Sequence, residues 1–377
     1  MTHEVYMHNK VLILIESLEG GGAEKVLATM MRHIDKEHYD VSVLAICGGG
    51  KYEEEVASCV KYSCLLNRHD SYRGMSKMYY ILKYKLIYEW LPAWLVYLLF
   101  VPKGFDVEVA FVEGFATKVL AASSNKQAKK FAWVHSNLTL LPWTITNGIF
   151  KNVDDERRAY LNYDKVVCVS NSVEKVMVEN YGLSSTITIY NPLDVLSIKQ
   201  RGKEKSSYVV DHSKFNIVSV GRLAKEKGYD LLLPIIKNVK DVHPDVHLWL
   251  IGMGVEENSL KRLAADLGIE DNVTFTGFLK NPYSLMSQMD LFVCSSRAEG
   301  FSLVIAEAMI LGLPVVSTNC SGPNELLSGG KYGILCETYD ELEKSLIAVA
   351  GGAEIPTGIP PIINIDETMK AIYELFG

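Results

Sequence analysis

The sequence predicts an α/β protein built from two doubly wound domains, and three observations carry that prediction. At 377 residues the chain is longer than one hydrophobic core ordinarily serves, so two domains are the natural reading. Short apolar strands ending in glycine or small polar residues alternate with helix-like segments, the pattern of a parallel sheet covered on both faces. The plan occurs twice, on either side of a polar stretch at 194–214 that includes R-G-K-E-K-S-S and has the composition of a linker. The expected division is therefore a first domain over 1–193, a linker over 194–214 and a second domain over 215–360. A terminal segment over 361–377 is expected to pack back on the first domain.

The first half opens with an apolar strand at 11–15, then Gly20-Gly21-Gly22, then a helical stripe through Val26, Leu27, Met30, Met31 and Ile34. Strand, glycine turn and helix make a phosphate-binding start, although tight turns of this kind also use glycine for purely steric reasons. Further strands are expected at 41–45, 107–111, 130–134 and 165–169. In the second half, strands at 217–220, 247–251 and 273–275 run into Gly221, Gly252 with Gly254, and Gly277. Two more follow at 291–293 and 314–316. After Gly351 the chain is rich in Gly, Pro and Ile, and it finishes in a helical piece at 366–376.

Composition bounds the function classes. With 48% apolar and 22% charged residues the chain can bury large cores and is not of disordered type. The net charge of −7 is uneven: residues 1–200 carry 22 basic and 22 acidic side chains, residues 201–377 carry 16 and 23. A nucleic-acid partner is not expected of such a balance. The seven cysteines are scattered without a C-x-x-C pair, as reduced thiols of a cytosolic protein would be. No secretory signal and no metal-ligating cluster stands out. Asp106-Val107-Glu108 reads as a strand with charged edges rather than as a metal site.

Basic residues exceed acidic ones by 11 to 5 over 61–130, around the aromatic stretch M-Y-Y-I-L-K-Y-K-L-I-Y-E-W-L-P-A-W-L-V-Y-L-L-F-V-P. Its uncharged run at 90–102 is shorter than the ~20 apolar residues that span a bilayer, and Pro92 interrupts it. Two readings stay open for 75–102. It forms ordinary core helices of the first domain, or it forms an interfacial surface in which Trp90, Trp94, Tyr97 and nearby lysines rest on anionic headgroups.

The chemistry concentrates in the second half. Glu299 precedes a glycine and small residues, as a loop residue would, and Glu307, eight positions on, falls within an apolar stretch that can continue as a helix. Such a junction leaves backbone N–H groups at the positive end of a helix dipole, suited to phosphate oxygens, with a carboxylate on each side for hydroxyl groups. Arg222 and Lys227, in V-G-R-L-A-K-E-K-G just after a strand, suit a diphosphate, where charge-assisted bonds outweigh neutral ones.

These residues resemble the retaining glycosyltransferases of family 4. The matching elements are G-G-G-A-E-K at 20–25, W-V-H-S-N at 133–137, V-C-V-S-N-S at 167–172 and Y-N-P-L-D at 190–194. They continue with G-R-L-A-K-E-K-G at 221–228, E-G-F-S-L-V-I-A-E at 299–307 and N-C-S-G-P-N-E-L at 319–326. The resemblance looks strongest toward bacterial members that build capsule, exopolysaccharide or lipopolysaccharide from UDP-sugars. It implies the GT-B fold, two Rossmann-like domains facing a cleft, with the acceptor on the first and the nucleotide sugar on the second.

It also implies roles. Arg222 and Lys227 would neutralise the donor diphosphate, and backbone amides at Gly300, Phe301, Ser302 and Leu303 would add hydrogen bonds. Glu307 would accept from ribose hydroxyls and Glu299 from the transferred sugar. Gly20, Gly21 and Gly22 would close over the phosphates, and His135 would face donor sugar and acceptor. Phe278 and Leu279 would meet the base, and Gly254 and Glu325 would line the pocket. The resemblance further implies a lipid-linked or oligosaccharide acceptor, transfer of a hexose or N-acetylhexosamine with retention, no strict metal or other cofactor requirement, and a cytoplasmic protein that sits at most peripherally on the membrane. A sugar-nucleotide epimerase of the same fold and a non-catalytic carbohydrate-binding protein are the alternatives. An NAD-dependent oxidoreductase fits less well, because Gly20–Gly22 is not G-x-G-x-x-G and no ribose-binding acid follows about 20 residues on.

Overall fold

A computed structural model describes residues 8–67 and 73–377. The chain divides into two units: one runs to Pro192 and takes back Asp366–Gly377, and the other is Leu193–Ile365. Each is an α/β layer structure around one parallel sheet. In the first unit the strands are β1 (Asn9–Ile15), β2 (Tyr39–Cys47), β3 (Lys61–Leu66), β4 (Val107–Ala110), β5 (Lys129–Val134), β6 (Lys165–Cys168) and β7 (Thr186–Thr188). They lie in the order β3-β2-β1-β4-β5-β6-β7. Val11 to Ile15 of β1 are all buried, as a central strand covered by helices on both faces requires.

The second unit has β8 (Phe215–Val220), β9 (Val246–Ile251), β10 (Val273–Gly277), β11 (Leu291–Cys294), β12 (Val315–Thr318) and β13 (Ile334–Cys336), in the order β10-β9-β8-β11-β12-β13. Every strand pair in both sheets is parallel. In each sheet the strand order reverses once, between β1 and β4 in the first and between β8 and β11 in the second. Connections leave such a point in opposite directions and open a crevice at the carboxyl edge, where ligands of open α/β sheets bind.

The ten strands expected from sequence all form, and three that were not expected join them: β3, β7 and β13. All three are edge strands and only partly covered: β3 and β7 interleave polar with apolar residues, and β13, though apolar, is three residues long.

The expected linker is not one. Residues 195–202 form a helix capped by Asp194, whose side chain accepts from the Ser197 N–H at 2.9 Å. Ser287 Oγ donates to the Gly202 carbonyl at 2.7 Å, and Tyr208 OH to the Thr276 carbonyl at 3.0 Å. Polar composition here reflects a surface helix and its caps, and the stretch belongs to the second unit. The terminal helix Ile365–Phe376 packs within the first unit. Tyr373 OH donates to the His33 carbonyl at 2.8 Å, its ring stacks on Tyr39 at 5.4 Å, and Phe376 lies against Phe131 at 6.3 Å.

The 75–102 stretch answers to neither reading as a whole. The helix Met75–Lys85 buries no side chain, and Trp90 and Trp94 are 57% and 58% exposed, so this part is not core. Tyr97, expected on an interfacial surface, is instead fully buried: its hydroxyl donates to Glu108 Oε1 at 2.7 Å, and Lys103 Nζ sits 3.2 Å over its ring. Helical spacing turns it inward beside Val96 while Trp94 and Leu98 face out. Glu108 lies inside β4 with Oε1 on the Tyr97 hydroxyl, and Asp106 accepts the Lys10 backbone N–H at 2.9 Å. Among the described residues no helix is long and apolar enough to cross a membrane.

Candidate active site

The second unit's reversal point is flanked by the loops after β8 and β11, and these carry the charged residues singled out in the sequence. Lys227 Nζ donates to Glu299 Oε1 at 2.6 Å. Ser296 Oγ donates to the same oxygen at 2.7 Å, which leaves Glu299 Oε2 as an acceptor for another donor. The side chains of Lys227 and Glu299 are only 20% and 11% exposed, so the pair is shielded from bulk water yet reachable. Burial by itself opposes the Lys227 ammonium, but the charge and hydrogen bond of Glu299 override it and hold the pKa above the ordinary lysine value. The cation is therefore permanent at neutral pH.

Gly228 makes the approach of the two loops possible. At φ 70° it occupies the left-handed region, and a Cβ there would lie 2.0 Å from the Ser295 carbonyl oxygen. Ser295 Oγ donates to the Lys227 carbonyl at 2.9 Å, and Tyr339 OH donates to the Ser295 carbonyl at 3.0 Å. Arg222 pairs with Glu226 on this turn at 3.2 Å, with its side chain 75% exposed. Gly254, in the loop after β9, packs so tightly that a Cβ would sit 2.1 Å from the Leu223 carbonyl oxygen.

Beyond Glu299 the backbone turns sharply. Ser302 has φ 62° and ψ 69°, a left-handed conformation that a non-glycine residue adopts at a cost of order 1–3 kcal/mol. Its hydroxyl is buried and makes no hydrogen bond among the described residues. The helix Leu303–Ile310 starts here, so the N–H groups of Leu303 and Val304, which precede the first N–H to reach the Ser302 carbonyl (Ile305, 3.1 Å), open onto the same edge. Glu307 lies inside this helix at 1% exposure. The Gly322 N–H donates to the Glu299 carbonyl at 3.3 Å, drawing the short helix that bears Glu325 against the loop. Phe278 and Leu279 follow β10, the first exposed and the second half-buried.

In the first unit, Gly20–Gly22 follow β1 and lead into the helix Gly22–His33. His135 follows β5: its Nε2 lies 2.9 Å from the Phe111 carbonyl, which requires Nε2–H and leaves Nδ1 as the acceptor. Burial lowers its pKa against the opposing pull of Glu113 and the Phe111 carbonyl, so the ring is neutral. Glu113, which sequence reading passed over, accepts the His135 backbone N–H at 2.9 Å and the Ser136 hydroxyl.

A family model described as glycosyltransferase family 4 matches residues 20–195, and one described as glycosyl transferases group 1 matches residues 200–350. The chain belongs to the GT-B glycosyltransferases of the family 4 type. An uncharacterized glycosyltransferase of Haemophilus influenzae is 28% identical over 89% of this chain and 88% of its own length. An N-acetylgalactosaminyltransferase of Campylobacter jejuni, named for a diphospho-undecaprenol-linked acceptor, is 28% identical over 88% of this chain and 87% of its own. The crystal structure of Anabaena Alr3699/HepE in complex with UDP and glucose superimposes with a TM-score of 0.72 at 20% identity, covering 97% and 99% of the two chains, which shows the shared fold.

In this glycosyltransferase the structure brings Lys227, Glu299, Arg222, Gly254 and the Gly300–Leu303 backbone to one edge of the second sheet. His135 and Gly20–Gly22 stand at the corresponding edge of the first sheet. Ser295, Ser296, Tyr339, Arg297 and Asp230 were not read from sequence. Ser295 to Arg297 sit directly before Glu299, a signal that adjacency alone could have supplied. Among the described residues, no group of three or more His, Cys, Asp and Glu side chains is arranged to hold a metal ion.

Proposed function

We propose that this enzyme moves a hexose or N-acetylhexosamine from a UDP-sugar to a lipid-linked or growing glycan acceptor in cell-surface polysaccharide assembly, with retention and without a strict metal requirement. The observation that carries this reading is the Lys227–Glu299 contact at the strand-order reversal: a fixed cation and a carboxylate with one free lone-pair face, beside a helix N-terminus. As the bond from the anomeric carbon to the diphosphate oxygen breaks, negative charge grows on the phosphates. Lys227, Arg222 and the amides around Ser302 stabilise that charge more in the transition state than in the bound donor. Glu299 Oε2 accepts a hydroxyl of the transferred sugar, and Glu307 those of the ribose. The acceptor oxygen bonds to the anomeric carbon on the face the diphosphate leaves, and its proton passes to the departing phosphate oxygen. No side chain near the pair is needed as a nucleophile.

Two further observations support the surroundings of the reaction. The Campylobacter relative is named for an acceptor carried on diphospho-undecaprenol. The exposed Met75, Met78, Tyr79, Leu82, Trp90 and Trp94, with Lys77, Lys83 and Lys85 among them, suit the surface of an anionic bilayer, where such an acceptor resides.

The test is a transfer assay with labelled UDP-glucose, UDP-galactose, UDP-N-acetylglucosamine and UDP-N-acetylgalactosamine and a lipid-linked saccharide acceptor, with and without EDTA. Labelled, α-linked product insensitive to EDTA supports the reading. Interconversion of the sugar nucleotide without transfer replaces it with an epimerase, and loss of activity in EDTA restored by Mn²⁺ overturns metal independence.

A further inference from the structure

Two loops must hold a common geometry for Lys227 and Glu299 to meet, and the contacts between them converge on one further side chain. Arg297 forms a bidentate pair with Asp230, its two terminal nitrogens each 2.8 Å from one carboxylate oxygen. The same guanidinium donates to the Lys225 carbonyl, and the Arg297 backbone N–H donates to the Glu226 carbonyl at 2.8 Å. Arg297 thus grips the turn Lys225–Lys227 from the β11 loop at the two carbonyls just ahead of Lys227, while Asp230 anchors it to the first turn of the helix Tyr229–Val242.

Stability does not account for this arrangement. The two side chains are 32% and 42% exposed, and pairs that wet contribute between zero and about 1 kcal/mol. Geometry does account for it. A lysine stem has four rotatable bonds, and directing its ammonium at a diphosphate costs ordering entropy unless its backbone is already set. A planar fork held to a carboxylate sets direction as well as distance, which a single point charge does not.

We infer that Arg297 and Asp230 are positioning residues for the donor diphosphate: they fix the Lys225–Lys227 turn so that the Lys227 ammonium is preset for the phosphates. The assignment rests on the donor reading above. It places no demand on the sugar or on the acceptor.

The full-length protein tests it by calorimetry with UDP and UMP as probes, alongside thermal melting. Wild type binds UDP more tightly than UMP. Arg297→Ala is expected to lower UDP affinity about tenfold while UMP affinity stays within about twofold and the melting temperature holds. Arg297→Lys recovers only part of the loss, and Asp230→Asn reproduces it at a position that does not touch the backbone carbonyls. If wild type binds UDP and both variants bind it equally well, the positioning role is overturned while the donor reading stands. If both variants lose UDP and UMP in parallel with a collapse in melting temperature, the residues are structural and the inference also fails. If wild type binds no nucleoside diphosphate, the donor reading itself is refuted and this assignment with it.

Discussion

Lys227 Nζ lies 2.6 Å from Glu299 Oε1, joining the loop after β8 to the loop after β11 across the point where the strand order of the second sheet reverses. A buried-edge ion pair of this kind is held in place by the partner's charge, and either residue alone would carry an uncompensated charge in a shielded site.

Lys227→Ala is therefore expected to lower kcat/KM by the equivalent of roughly 2–4 kcal/mol, because it removes the cation and strands Glu299. Steady-state kinetics with saturating acceptor measure it. Unchanged turnover would remove Lys227 from the site.

Glu307→Ala is expected to raise the apparent donor KM with a smaller effect on kcat, since a ribose contact is made equally in ground and transition states. The check is a donor titration at fixed acceptor, compared with the reverse. A change confined to acceptor kinetics would show that Glu307 does not meet the ribose.

The helix Met75–Lys85 with Trp90 and Trp94 should bind anionic vesicles at low salt and release them as salt rises. Replacing Trp90 and Trp94 with Ser should weaken binding without altering melting, because both side chains are already solvent-facing. Flotation with phosphatidylglycerol vesicles reads both outcomes, and failure of the wild type to float at low salt would end the membrane proposal.

His247 makes the second unit acid-sensitive. Burial, with Lys214 adding to it, pushes its pKa down to about 4 against an ordinary value of 6.5. Between those values the unfolded chain holds a proton that the folded one refuses, so stability is intact above about pH 6.5 and is lost as pH falls toward 4. The loss is at most about 1.4 kcal/mol per pH unit, reduced by the partial exposure of the ring. Melting curves of wild type and His247→Gln from pH 7.5 to 4.5 should converge at the acid end. Parallel curves would clear His247 of the effect.

What was legible in the sequence follows from where residues sit. Central strands such as β1 and β11 are buried on both faces and announce themselves as apolar runs. An edge strand such as Thr186–Thr188 is three residues long, two half-buried threonines around an exposed Ile187, and leaves no run to read. The helix at 195–202 had a visible start signal in Asp194, masked by the lysines and serines that follow it. Lys227 and Glu299 could be read because loop and helix context fixes their environment locally. Arg297 and Asp230 are 67 positions apart, and an exposed arginine and an exposed aspartate carry no local mark of being partners.

The return of Ile365–Phe376 to the sheet that begins the chain has a practical corollary for dissection. A fragment ending at Pro192 would lack the ring of Phe376 against Phe131 and the hydroxyl of Tyr373 on His33, exposing an apolar seam that invites aggregation. The second unit, by contrast, begins and finishes within one uninterrupted stretch, Leu193–Ile365, and is the piece to express alone. A stop codon a dozen residues early would thus injure the opposite half of the polypeptide from the one it appears to shorten.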